Sequence, residues 1–99
     1  MAGYTFKDFY IPERMVAALE RYVHDGIEPG DFLAAVICND LHEACNRADD
    51  ENIWNLPAYA AWFRNEAPAS CWGCREAMDR WIEMKRYAQD TAVTVASAL

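Results

Sequence analysis

Five side chains in this sequence have types and spacings suited to metal or redox chemistry. Cys38, His42 and Cys45 are separated by four and three residues. At about 100° per residue they share one narrow stripe of a helix. Cys71 and Cys74 form C-x-x-C, a spacing that lets two sulfurs reach one ion. A structural zinc takes four Cys or His ligands in a tetrahedron, so such an ion could tie the helix of Cys38 to the start of a helix after Cys74. Against this, Cys-x-x-x-His-x-x-Cys is not a zinc-finger spacing, and a free cysteine behaves as a small, often buried hydrophobe. Burial without a cofactor is the expected state, and zinc on Cys38, His42, Cys45, Cys71 and Cys74 is the alternative. Cys71-Trp72-Gly73-Cys74 also has redox spacing, but a thioredoxin-like site needs a strand before the motif. Ala67-Pro68-Ala69-Ser70 does not read as one.

Other catalytic patterns are missing from the sequence. His24 and His42 have no convincing nucleophile beside them, and Ser70 and Ser97 lie in no G-x-S-x-G frame. No glycine-rich phosphate loop occurs. Asp49-Asp50 lacks the ligand order of an EF-hand and reads as a helix cap on a solvated face. A non-enzymatic role is expected.

The elements that carry these residues are mostly helical. Residues 1–11 alternate imperfectly and read as an extended arm laid on the domain. A short edge strand there would have no obvious partner. Pro12 suits a first helical position. Met15, Val16, Leu19, Tyr22 and Val23 then make an apolar stripe that Gly26 ends, predicting a helix over 12–24. Asp31 starts a second helix that carries Phe32, Leu33, Val36, Ile37, Leu41, Ala44 and Ala48 and runs to about residue 48. On that helix Asp40 falls beside apolar positions. It is expected to be a satisfied polar group, paired with Arg14, Arg47 or a backbone N–H of a neighbouring helix. Asp49 or Asp50 caps a third segment. Pro57 divides it into a short helix over 51–54 and a longer one, capped by Asn55, that Pro68 closes. A fourth helix covers 74–87, and the uncharged tail over 91–99 frays or joins a partner. The predicted fold is all-α. It is one domain over 1–99, a compact bundle of about four helices (core 12–88) with an extended N-terminal arm and a tail over 89–99.

Composition narrows the function. The chain has 99 residues and a formal net charge of −7, which argues against direct binding to a phosphate backbone. An acidic surface keeps a protein soluble or docks on a basic partner. No window approaches the ~20 apolar residues of a membrane span. The first residues lack the basic and apolar regions of a secretory signal. Four Trp, five Tyr and four Phe are more rings than a thin core needs, so some are expected at a contact surface. Trp54, Trp62 and Trp72 are the candidates. The competing expectation is that each completes the core. Asp49, Asp50 and Glu51 are the most concentrated negative charge and the candidate acidic contact.

Several phrases resemble a group of small proteins encoded by tailed bacteriophages and prophages. They are Ile11-Pro12-Glu13-Arg14-Met15, the segment from Asp25-Gly26-Ile27 through Phe32-Leu33, Asn39-Asp40-Leu41, and Arg47-Ala48-Asp49-Asp50-Glu51-Asn52. The likeness continues through Ala67-Pro68 and Trp72-Gly73. Members of that group often carry Ser where this chain has Cys74. The resemblance implies a phage product in the bacterial host cytoplasm that binds a host or phage protein. An inhibitor of a host defence or regulatory system is the concrete form. A self-associating structural component, such as a homodimer, and a zinc-stabilised regulator are the alternatives.

Overall fold

A computed structural model describes the backbone of residues 3–98 and the side chains of residues 3–89. The chain begins with a β-hairpin, β1 (Tyr4–Phe6) and β2 (Phe9–Ile11), in the antiparallel register Tyr4↔Ile11, Thr5↔Tyr10 and Phe6↔Phe9. The fold is therefore predominantly helical but not all-α. The arm supplies the strand partner that the sequence reading lacked by folding on itself. Its two-residue turn, Lys7-Asp8, places Lys7 at φ 55°. Short hairpin loops favour positive φ because it matches the twist of the strands.

Six helices follow among the described residues: α1 (Glu13–Asp25), α2 (Asp31–Ile37), α3 (Leu41–Arg47), α4 (Asp50–Trp54), α5 (Leu56–Glu66) and α6 (Arg75–Ala98). A 3₁₀ turn at Ala69–Cys71 precedes α6. The backbone over residues 91–98 thus continues α6. The tail expected to fray or join a partner is described, over 91–98, as helical backbone.

The predicted second helix is two helices. Asn39 sits at φ 61°, its N–H bonds the Val36 carbonyl at 3.0 Å, and the Asp40 N–H bonds the Ala35 carbonyl at 2.9 Å. This is a Schellman stop, with a left-handed residue closing the helix. Asp40 then caps α3, its carboxylate accepting from the Glu43 N–H at 3.1 Å. Its partner is thus a backbone N–H of the helix it caps, not Arg14, Arg47 or a neighbouring helix, and Asp40 is exposed rather than set among the apolar positions. The carbonyl of Ile37, at the end of α2, accepts from the distant Gly73 N–H at 2.7 Å.

The core draws on every layer. Leu19 and Tyr22 of α1, Ile37 of α2, Tyr59 and Phe63 of α5, and Ile11 of the hairpin are all at or below 2% exposure. Met78 and Ile82 of α6 close it. The buried tyrosine hydroxyls and asparagine side chains are satisfied. The Tyr22 hydroxyl donates to the Cys71 carbonyl at 2.7 Å, and the Tyr59 hydroxyl donates to Asn52 Oδ1 at 2.6 Å. Asn55 stands at the N-terminus of α5 as expected, but its side chain does not cap that helix. Its Oδ1 accepts from the Tyr10 N–H at 2.8 Å and its Nδ2 donates to the Glu51 carbonyl, anchoring the hairpin on the α4–α5 corner.

The last carbonyls of α1 are covered by α6. Trp81 Nε1 donates to the Tyr22 and Val23 carbonyls at 3.2 and 3.1 Å, and Gln89 Nε2 to the Asp25 carbonyl at 3.1 Å. Gly26 ends α1 at φ 67° directly against α6. A Cβ on it would lie 2.5 Å from Lys85 Cβ.

Candidate functional site

The α2–α3 break, α5 and the segment before α6 leave an apolar groove of about 830 Å³. Val36 and Ala44 come from the broken pair of helices. Leu56, Ala60 and Phe63 come from α5, Phe6 from the hairpin, and Trp72 from the segment before α6. Three features shape the groove. The Schellman stop turns α3 away from the axis of α2, the Asn55 anchor seats the hairpin on α5, and the Gly73–Ile37 bond holds Trp72 at the end of α2. Leu41, the first residue of α3, lines the groove with 66% of its surface exposed. Apolar spacing alone puts it on one stripe with Ile37 and Ala44. The helix break instead sets it at the groove mouth.

Asp40 and Arg64 are the ionisable groups lining the groove. They supply neither a nucleophile nor a general base paired with one. Trp72 is half-buried and tilted against Phe63, with ring centroids 6.1 Å apart. Its Nε1 is a buried donor with no partner. A buried indole N–H normally has one. The groove can therefore enclose an apolar segment and offers polar groups at its edge to orient it.

The other predicted contact residues separate. Trp62 is 5% exposed, edge-on to Phe63, and belongs to the core, so the three tryptophans do not form one surface. Trp54 is 70% exposed on α4, with Ile53 and Tyr10 as the other exposed apolar groups of that region. Asp49 caps α4 by accepting from the Asn52 N–H at 2.8 Å. Glu51 accepts from the Tyr10 hydroxyl at 2.6 Å and from Arg14 at 3.1 Å, and Arg14 also reaches Asp49 at 3.8 Å. The bond to Glu51 raises the Tyr10 pKa. Two of the three acidic residues thus hold hairpin, α1 and α4 together, and Asp50 stays exposed.

The five candidate metal ligands do not gather. The break separates Cys38 from His42 and Cys45, which are exposed on α3. Cys71 is fully buried, and burial pushes its thiol up to about 11. Cys74 is exposed. Among the described residues no group of three or more His, Cys, Asp or Glu side chains is arranged to hold a metal ion. No helix among them is long and apolar enough to cross a membrane.

The sequence reading missed the groove. The one signal for it was Asn39-Asp40, a residue tolerant of left-handed backbone followed by a good N-cap. No protein-family model matches this chain, and no curated protein or solved structure matches it either.

Proposed function

We propose that this chain is a non-catalytic accessory protein that binds another protein in the groove between α2–α3 and α5. The observation that carries this reading is the groove itself, about 830 Å³, with a large aliphatic side chain left mostly exposed at its mouth. Covering Leu41 would remove the exposed two-thirds of a side chain whose full burial is worth roughly 1.5–3 kcal/mol. With a net charge of −7 on the chain, the fitting partner presents an apolar segment flanked by Lys or Arg. The resemblance to small phage proteins supports the setting, a bacterial cytoplasm, and a host defence or regulatory protein as the partner. Four of the residues that carry the resemblance, Asn39, Asp40, Leu41 and Trp72, line the groove.

The test is capture from bacterial lysate on immobilised protein, comparing the native chain with Leu41→Asp. Burying two-thirds of that side chain corresponds to about 1–2 kcal/mol, or roughly 5–30-fold in affinity. A charge placed in the groove should weaken binding further. A partner held by the native chain, lost from the variant and weakened by salt, is the expected result. Equal capture by both proteins would remove the groove from the interface, and no retention at moderate salt would remove the binding role. A second reading, self-association, rests on exposed Ile53 and Trp54 of α4. Light scattering at two concentrations decides it, and a strict monomer ends it.

A further inference from the structure

Cys38 and Cys74 are far apart in sequence, and the fold brings them to one place. The Gly73 N–H bonds the Ile37 carbonyl at 2.7 Å, so the chain is joined to itself one residue before each cysteine. Cys38 Sγ lies 3.9 Å from Met78 Sδ. Met78 sits one helical turn beyond Cys74, with its N–H bonded to the Cys74 carbonyl at 3.2 Å. The Cys74 carbonyl accepts the opening backbone bond of α6, so the Cys38 thiol lies beside the first turn of that helix, the turn Cys74 leads into. Both cysteines line a hollow of about 280 Å³, together with Asp40, Glu43, Arg47 and Arg75. The C-x-x-C partner of Cys74 is a poor competitor, because Cys71 is fully buried and its backbone is held by the Tyr22 hydroxyl.

We propose that Cys38 and Cys74 are a dithiol that a low-molecular-weight disulfide oxidises to an intramolecular disulfide, a modification site separate from the partner-binding role. Cys74 is the exposed thiol and reacts first. Its thiolate attacks one sulfur of the oxidant, the oxidant's S–S bond breaks, and one small thiolate leaves. Cys38, half-buried, then loses its proton to solvent and attacks Cys74 Sγ, expelling the second small thiolate. Two protein thiols are oxidised and one disulfide is reduced to two thiols. Burial raises the Cys38 pKa, and Arg75 opposes that by favouring the thiolate.

The probe is glutathione disulfide, applied to the full native chain, followed by acid quench, proteolysis and mass spectrometry. The expected product is a monomer lighter by two hydrogens, with the peptides of Cys38 and Cys74 cross-linked and its helical circular dichroism unchanged. Cys45→Ser should give the same product, whereas Cys38→Ala should stop at a glutathione adduct on Cys74. A Cys71–Cys74 cross-link, a dimer linked through Cys74, a persistent glutathione adduct on Cys74 of the native chain, loss of helicity on oxidation or no reaction would each overturn the proposal. None of these outcomes depends on whether a partner occupies the groove.

Discussion

Substitution of Asn39 discriminates between two opposite accounts of the segment that builds the groove. In the structure Asn39 is left-handed, at φ 61°, and ends α2. A side chain with a Cβ in that conformation costs roughly 1–2 kcal/mol, a cost that Asn lessens and Gly avoids. Asn39→Ala should therefore destabilise the protein by about 1 kcal/mol, Asn39→Val by more, and Asn39→Gly should be neutral or stabilising. Were residues 31–48 one continuous helix, the order would invert. Ala would be the best residue there and Gly about 1 kcal/mol worse. The expected Ala–Gly difference thus changes sign between the two accounts, with a span of about 2 kcal/mol or more. Urea unfolding followed by circular dichroism resolves such a difference, provided the slope with denaturant stays constant across the variants. A thermal midpoint 4–8 °C lower for Ala than for Gly, per kcal/mol, is the parallel readout for a domain of about this size. If Ala proves as stable as Gly, with added helicity, the Schellman stop and the groove built on it are refuted.

Gly26→Ala places a Cβ at φ 67° and 2.5 Å from Lys85 Cβ, so a loss of about 2–4 kcal/mol is expected in the same assay. Lys85→Gly in the same chain should recover only the steric part. Stability should also fall at alkaline pH. Burial holds the Cys71 thiol at about 11, so its contribution is fully present below the unfolded thiol's value near 8.5 and is lost as pH rises towards the folded value. The loss is about 3 kcal/mol, and the raised pKa values of buried Tyr22 and Tyr59 act in the same direction. Urea midpoints at successive pH values should show a decline above about pH 9 that is shallower in Cys71→Ala.

Local chemistry made much of the helical content legible. The stripe through Leu19, Tyr22 and Val23 is buried as its spacing requires, and Gly26 ends α1. Pro57 divides the third segment where expected, leaving α4 and α5. The stripe of the second helix misled because Ile37, Leu41 and Ala44 keep a four- and three-residue rhythm across a break that sits between them. Periodicity reports which residues are apolar. It does not report whether the axis stays straight.

The sequence by itself determined a small, acidic, mainly helical domain with more aromatic surface than its core requires. Charge, capping chemistry and apolar spacing are properties of the chain alone. The tertiary structure decided which apolar groups became core and which became site, because burial depends on what lies opposite. Trp62 found Phe63 and was enclosed, whereas Leu41 and Trp54 were left open. It also decided the hairpin, which is anchored by a buried Asn55 from 45 residues away, and the placement of Cys38 and Cys74 on one hollow beside the Gly73–Ile37 bond. Such contacts join residues remote in the chain, and neither partner's local sequence encodes the other's position.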